Sequence, residues 1–298
     1  MKNNLLRYFR ELGIGSLCMV FLGASSTLHA ALDLSVAYES GPSGFASRSV
    51  SAVYWPENGA WRADADYYYS QTDSDERATE EINGGLSLYF DSGISMSGGV
   101  GRREDSAQEI KSISGELTAE LNRAWSGKKI TALTLGVVRS TYQIAEGSSD
   151  DALIRFERLI GIMQELNSSV AIYLSRSDYE YNKSDTQVRR VVRHNLRRIR
   201  HSNAINILSG IIDESRTVGL ILNIGERWLM DASRSDIFND ILADTDTNAV
   251  SEHTRIQALA LTYYAGERYT LGLSLSSILD DRDERANYIT ASLGVFFE

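Results

Sequence analysis

The triplet His201-Ser202-Asn203 combines the residue types of a hydrolase: a base, a hydroxyl nucleophile and an amide that could orient the base. The alternation around it predicts a strand that begins near Arg198. Adjacent residues of a strand point to opposite faces, so His201 and Ser202 converge only if a β-bulge intervenes. We therefore predict no catalytic trio here and no enzyme activity for the chain.

A calcium-loop pattern occurs in Asp244-Thr-Asp246-Thr-Asn248, whose oxygen ligands have the spacing of positions one, three and five. The glycine that such loops require next is Ala249, and Arg255 stands where a bidentate glutamate should close the site. Loop polarity explains the pattern better. We predict no metal site and no other cofactor.

The sharpest charge cluster consists of Arg189, Arg190, Arg193, Arg197, Arg198 and Arg200. It could bind an anion, either the phosphates of lipopolysaccharide or an anionic solute. The alternative is a solvated loop whose charges pair with neighbouring acidic loops. The sequence leaves both interpretations open.

Residues 1–30 predict a cleaved secretory signal peptide, with a basic start, an apolar stretch and a small-residue exit. The only cysteine, Cys18, lies inside it, so the mature chain has no thiol chemistry. Cleavage removes three basic residues and one acidic residue, which changes the net charge from −10 to −12. This charge argues against a nucleic-acid partner.

Residues 31–298 predict a single all-β domain. Leu271, Leu273 and Leu275 alternate strictly with small polar residues, as a strand with two different faces requires. A scan of the domain for such alternation yields 14 candidate strands, with 12 to 16 possible. They begin near Leu32, Ser47, Trp61, Gly84, Ile94, Ser112, Ile130, Leu153, Ser169, Arg198, Thr217, Thr254, Tyr269 and Arg285. No apolar run beyond the signal reaches 18 residues, so a membrane-spanning form must be a closed barrel.

The predicted connections alternate in length. Tight turns are expected at 56–59, 91–93, 126–129, 166–169, 213–216 and 265–268, and longer charged loops at 71–81, 145–151, 182–195 and 227–251. In the last of these loops, Ile237, Phe238, Ile241 and Leu242 predict a short helix that could fold inward as a lid.

Aromatic residues cluster at both ends of the predicted strands. Beside the tight turns stand Trp55, Trp61, Trp125, Phe90, Tyr264, Tyr269 and Phe297, and near the long loops stand Tyr38, Tyr67, Tyr69, Tyr142, Tyr179 and Tyr181. Two aromatic girdles are expected of a transmembrane barrel.

The final run Gly294-Val295-Phe296-Phe297 resembles the carboxy-terminal targeting strand of bacterial outer-membrane β-barrels, although Glu298 follows the last aromatic residue. An even number of antiparallel strands, with short turns at one end and long loops at the other, extends this resemblance to residues 31–298. It implies an up-and-down transmembrane barrel in the outer membrane of a Gram-negative bacterium. The implied partners are outer-membrane lipid, lipopolysaccharide and the barrel-assembly machinery during insertion.

Charged and amide residues are expected on the inward faces, at Asp33, Arg62, Asp64, Asp66, Arg103, Glu116, Glu120, Arg155, Glu157, Asn206 and Asn223. We predict a porin-like passive channel for small polar or charged solutes. Its path is expected to be lined by Arg62, Asp64, Asp66, Glu116, Glu120, Arg155, Glu157, Arg198 and Arg200. The last two are expected across the lumen from Asp64 and Asp66 but roughly 20 Å farther out, so that a basic outer mouth precedes an acidic inner stretch. Alternatively, the charges pair across strands as a solvated plug.

Two other functions are left open. One is a non-conducting barrel whose external loops bind a surface partner. The other is a lipid-active enzyme, because outer-membrane phospholipases use His, Ser and Asn at a barrel wall and the chain contains His201-Ser202-Asn203.

Overall fold

The computed structural model describes residues 30–42, 44–57, 59–71, 78–104, 108–121, 130–144, 152–182, 212–242, 249–279 and 285–297. These residues form 14 β-strands. The strands are β1 Ala30–Ser40, β2 Ala46–Pro56, β3 Trp61–Gln71, β4 Thr79–Phe90, β5 Ile94–Glu104, β6 Gln108–Glu120, β7 Thr131–Ile144, β8 Leu153–Asn167, β9 Val170–Tyr181, β10 Ile212–Ile224, β11 Trp228–Leu242, β12 Ala249–Ala265, β13 Tyr269–Leu279 and β14 Arg285–Phe297. The predicted number of strands is confirmed.

The strands form one closed antiparallel barrel in which each strand pairs with its sequence neighbours and β14 pairs with β1. The closing ladder runs from Leu32 opposite Phe297 to Ser40 opposite Ile289. One circuit of the ladder shifts the register by about 14 residues, which corresponds to a strand tilt of about 35° and a backbone radius of about 13 Å. Because the sheet closes on itself, it has no unpaired edge.

Over the part of the barrel nearer the short turns, most strands have a predominantly apolar outward face and a predominantly small or polar inward face. On β13 the outward residues are Leu271, Leu273 and Leu275, and the inward residues between them are Gly272 and Ser274. The same division continues through the ladder, since Leu273 pairs with Leu261 and Ala291. The apolar side chains therefore cover the outside of the barrel instead of filling a core. No helix among the described residues is long and apolar enough to cross a membrane.

One end of the barrel has short connections. Gly59, Gly93, Gly225 and Gly266 lie in four of the short turns and have positive φ angles, a conformation that other residues adopt only at a cost. Gly59 N donates to Pro56 O at 2.9 Å and Gly93 N to Phe90 O at 3.0 Å, as in tight hairpin turns. The predicted turns at 56–59, 91–93, 166–169 and 265–268 are confirmed, whereas 126–129 lie outside the described residues.

Three predictions about the chain after residue 182 need correction. The tight turn predicted at 213–216 is wrong, because these residues lie within β10, and the turn between β10 and β11 contains Gly225 instead. The long loop predicted at 227–251 is wrong as well, because Trp228–Leu242 is β11 and Ala249 begins β12. The helix predicted for 235–242 is part of β11. The strand predicted near Arg198 lies outside the described residues.

The aromatic girdles are confirmed only in part. Trp61, Phe90, Trp228, Tyr269 and Phe297 lie on the outward face at the short-turn ends of β3, β4, β11, β13 and β14, so this girdle covers only part of the circumference of the described barrel. At the other end Tyr38, Tyr67 and Tyr69 share the outward face. Tyr142, Tyr179 and Tyr181 do not belong to this girdle, because they alternate with the outward residues of β7 and β9 and point inward.

Candidate functional site: the inner wall of the barrel

The described residues of the predicted solute path all lie on the inward face: Arg62, Asp64, Asp66, Glu116, Glu120, Arg155 and Glu157. Arg198, Arg200 and Asn206 lie outside the described residues. The inward carboxylates of the described strands include ten residues: Asp33, Glu39, Asp64, Asp66, Glu81, Glu116, Glu120, Glu157, Glu165 and Asp231. Within the same strands the inward basic residues are Arg62, Arg103 and Arg155. The wall therefore has an excess of negative charge.

The charge density is highest on β3 and β4. Arg62 pairs with Asp64 at 3.4 Å on the same strand. One residue pair higher, the side-chain amide of Asn83 donates to Asp66 Oδ2 at 2.9 Å and to Glu81 Oε1 at 2.8 Å. A single neutral amide thus holds two carboxylates side by side without neutralising them.

A recess of about 390 Å³ lies in the wall beside these charges, along β3 to β6. Its inward lining comprises Arg62, Asp64, Asn83, Gly85, Ser87, Ser97, Gly99, Gly101, Ser112, Ser114 and Glu116. The glycines are required for close packing: a Cβ on Gly85 would lie 2.7 Å from Asp64 Oδ2, and one on Gly101 would collide with Asn83 and Ser112. Glycine therefore lets the neighbouring carboxylate and amide lie flat on the wall.

The opposite wall is neutral over its middle part. Strands β3 and β10 are seven strands apart in a barrel of 14, so they face one another, and β10 presents Ser215, Thr217 and Gly219 inward. Tyr173 of β9 lies across Gly219, where a Cβ would collide with its ring, and its hydroxyl donates to Asp231 Oδ1 at 3.1 Å. This contact holds the large ring against the wall and out of the central space.

The strand that faces Asp64 and Asp66 across the barrel is Ile212–Ile224, and the predicted positions of Arg198 and Arg200 lie outside the described residues. Glu120 is the last residue of β6 at the short-turn end, and its N donates to Gly93 O at 2.8 Å. Inward carboxylates therefore extend from the short-turn end, at Glu120, to the long-loop end, at Glu39.

Near the long-loop end, Arg155 lies between two tyrosines. Its guanidinium carbon is 5.6 Å from the centre of the Tyr142 ring and 5.4 Å from that of Tyr179, both within cation–π range. The Tyr179 hydroxyl donates to Glu157 at 3.3 Å, and Tyr181 accepts a hydrogen bond from Ile212 N at 3.1 Å. The cluster thus places the Arg155 guanidinium and the Glu157 carboxylate among three tyrosine side chains on the inner wall.

An apolar collar continues from this cluster around the inside of the same end. We define it as Phe45, Ile212, Ile237, Ile256, Ile278 and Tyr288. A tight turn after β1, in which Gly41 N donates to Phe45 O at 3.0 Å, places the Phe45 ring edge-on against Tyr288 at 5.5 Å. Phe45 and Tyr288 are 1% and 3% exposed, so the collar narrows the barrel at this end.

Sequence reasoning missed Glu39, Glu81, Tyr173 and Asp231. Glu81 could have been found by extending the alternation of β4 two residues beyond Asn83. Asp231 lies in the segment that the sequence pattern predicts to be a loop, so the pattern does not indicate that this residue faces inward. The predicted alternatives at His201-Ser202-Asn203 and at 244–248 lie outside the described residues. Among those that are described, no group of three or more His, Cys, Asp or Glu residues could hold a metal ion.

No protein-family model matches the chain, and no curated protein matches it. Solved structures of outer-membrane channels do. OccD1 (OprD) matches with a TM-score of 0.50 at 8% identity, covering 90% of this chain and 95% of that chain. The KdgM porin matches at 0.45 and 6% identity (89% and 99% covered), and the CymD monoaromatic hydrocarbon channel at 0.47 and 10% identity (90% and 87% covered). At such identities the similarity concerns the fold, and the predicted resemblance to outer-membrane β-barrels is confirmed at that level.

Proposed function

We propose that the protein is an outer-membrane channel that passes small polar solutes by passive diffusion and favours cations over anions. The outer-membrane location is supported by the apolar outside of the barrel, which is bounded by aromatic residues at the short-turn end and by polar residues at the other end. The long loops then face the cell exterior. A cleaved signal peptide and insertion by the barrel-assembly machinery belong to this proposal as expectations.

The preference for cations rests on one observation: the described strands present ten carboxylates but only three arginines on the inward face. A passage lined by one sign of charge concentrates counter-ions, and the effect reaches across about 8 Å at physiological ionic strength. Fourteen strands exceed the eight whose side chains fill a barrel, and the inward positions of β13 and β14 are mostly Gly, Ser and Thr. This combination favours a wet, negatively charged passage.

The test is the reversal potential of the purified protein in a planar bilayer under a tenfold KCl gradient, where a perfectly cation-selective pore gives about 59 mV. We expect a smaller value of the cation-selective sign. The double variant Asp64→Asn/Asp66→Asn should move the value toward zero. The matched control, Glu104→Gln/Glu180→Gln, removes two outward carboxylates and should leave it unchanged.

Anion selectivity of the unmodified protein would contradict the proposal, as would equal shifts in the two double variants. Conductance should also scale with salt concentration, because the path is aqueous.

The apolar collar supports a second candidate, a non-conducting barrel whose external loops bind a surface partner. Its buried side chains lie where solutes would enter, and a barrel closed there would be silent in the bilayer although correctly folded. Silence of folded protein would favour this candidate. The third alternative, a lipid-active enzyme, rests on the sequence alone. Replacing His201 or Ser202 with Ala is expected to leave folding and any lipid-related phenotype unchanged.

A further inference from the structure

A band of positive charge lies on the outside of the barrel, above the apolar surface. Eight consecutive strands, β5 to β12, each contribute one outward basic residue. This outer basic arc consists of Arg102, Lys111, Arg139, Arg158, Arg176, Arg216, Arg234 and Arg255. The pairing between strands places the members of the arc at similar heights along the barrel axis: Arg102 is the pairing partner of Lys111, and Arg176 that of Arg216. With the strand tilt included, all eight lie within about 8 Å along the barrel axis.

The arc marks the boundary of the apolar surface. Two residues nearer the short turns, seven of the eight strands have an aliphatic outward residue: Val100, Ile113, Val137, Ile160, Leu174, Val218 and Ala232. On β12, Gln257 comes between Arg255 and Leu259. A cation directly above the hydrocarbon boundary stands at the height of lipid phosphates.

Carboxylates stand on the other side of the arc. On five strands an acidic residue lies two positions farther from the apolar surface and pairs with the basic residue: Arg102 with Glu104 at 2.9 Å, Lys111 with Glu109 at 3.2 Å, Arg176 with Asp178 at 2.8 Å, Arg234 with Asp236 at 3.0 Å, and Arg216 with Glu214. If these were only solvated ion pairs, either the basic or the acidic member could lie nearer the apolar surface. Here the cation is the member nearer the apolar surface in all five.

The basic side chains remain accessible despite these pairs. Their exposed fractions range from 34% for Arg255 to 66% for Arg158, and exposed Arg139 has no ion pair among the described residues. Solvent-exposed ion pairs are weak, so they do not prevent the guanidinium groups from binding another anion. Seven of the eight residues are arginine, whose planar fork binds phosphate through two parallel hydrogen bonds.

The short-turn end lacks such an arc in the described strands. Its outward strand residues are aromatic or aliphatic, and Arg227 and Arg268, the outer basic residues that the structure describes at this end, belong to the turns. The two ends of the barrel therefore match an asymmetric bilayer with one phosphate-rich leaflet.

Building on the outer-membrane placement proposed above, we propose that the outer basic arc binds the phosphate groups of a phosphorylated glycolipid of the lipid A type in the outer leaflet. The acyl chains would pack against the aliphatic residues below the arc, and the phosphates would bind between neighbouring arginines such as Arg176 and Arg216. The carboxylates above would keep these side chains directed along the wall.

The test measures the apparent Tm of the full-length protein, purified without its signal and folded into phosphatidylcholine vesicles. Matched vesicles contain the same small mole fraction of either diphosphoryl lipid A or phosphatidylglycerol, and a further sample contains inorganic phosphate alone. We expect lipid A to raise the Tm clearly more than phosphatidylglycerol does, and free phosphate to have no effect. The triple variant Arg139→Gln/Arg176→Gln/Arg216→Gln should lose at least half of the lipid A shift.

Two further variants control for folding and geometry. Arg227→Gln/Arg268→Gln at the opposite end should retain the full shift, and the single variant Arg139→Gln, which breaks no described ion pair, should lose part of it. A shift that survives the triple variant would overturn the proposal, as would equal shifts with the two lipids or a shift produced by free phosphate. Conductance tests the channel separately, because the arc lies outside the passage.

Discussion

Comparing the stability of two variants, each with an arginine on a different face of β13, tests which face contacts the membrane and which contacts water. Leu273 is 50% exposed on the outside and pairs with Leu261 and Ala291, whereas Ser274 points inward between Ala260 and Thr290. The two positions are adjacent on the same strand, so an arginine has the same β-propensity and nearly the same depth at both. Only the surroundings of its side chain, outside or inside the barrel, differ.

The depth of Leu273 follows from the ladder. The outward face of β13 is apolar from Tyr269 to Leu275 and is bounded by Ser277. From Tyr269 to Ser277, at about 3.3 Å per residue and a tilt of about 35°, it spans about 22 Å. Leu273 is halfway, about 11 Å from either boundary. An arginine at the midplane of a transmembrane barrel costs about 2 to 4 kcal/mol, which changes the folding equilibrium constant by about 30-fold to about 800-fold.

We therefore expect Leu273→Arg to be destabilised by this amount, and Leu271→Arg and Leu275→Arg to be destabilised less, because both lie nearer a boundary. Ser274→Arg should change stability by no more than about 0.5 kcal/mol, since its neighbours on the inner wall are small and the wall is negatively charged. The assay is reversible urea unfolding from phosphatidylcholine vesicles, followed by tryptophan fluorescence. Equal losses at Leu273 and Ser274, or a larger loss at Ser274, would refute the membrane-facing assignment.

Three further substitutions test the inner wall. Gly219→Ala should push Tyr173 off the wall, lowering stability by about 1 to 3 kcal/mol and reducing the single-channel conductance; unchanged conductance would show that the ring does not limit the passage. Arg155→Gln should lose about 0.5 to 2 kcal/mol of cation–π stabilisation in urea unfolding and move the reversal potential further toward cation selectivity, opposite to Asp64→Asn/Asp66→Asn. Phe45→Ala should raise the single-channel conductance by widening the collar, and a conductance equal to that of the unmodified protein would place the narrowest point elsewhere.

The fold was predictable because, in the part of the strands nearer the short turns, the outward residues are apolar and the inward residues are mostly small and polar. This difference in polarity between the two faces makes the alternation easy to detect in the sequence. Most of β13 and β14 could be assigned from alternation alone. The prediction failed on β11, whose outward Arg234 and Asp236 stand above the apolar surface opposite inward Ser233 and Ser235. Because both faces of this segment are polar, the sequence shows no alternation between apolar and polar residues there, and its polarity predicts a loop.

The candidate site was predictable only as a set of inward charges. Successive side chains of a strand alternate between its two faces, so the apolar outward neighbours of Asp64, Asp66 and Glu116 place these three residues inside the barrel. Which charges meet depends on the register between strands. The double hydrogen bond of Asn83 to Asp66 and Glu81, and the position of Arg155 between Tyr142 and Tyr179, follow from ladders that local sequence does not specify.

The strand type, the direction of each well-patterned face and the alternation of short and long connections could be predicted, since they depend on local periodicity and turn residues. Tertiary structure alone decided which strand faces β3, which residues form the apolar collar and that eight basic residues from eight strands reach one height. The reason is physical. The face to which a side chain points follows from the local geometry of the strand backbone. Its height along the barrel axis and its neighbours on adjacent strands depend on hydrogen bonds between residues far apart in the chain. The register of these hydrogen bonds is set only when the barrel closes.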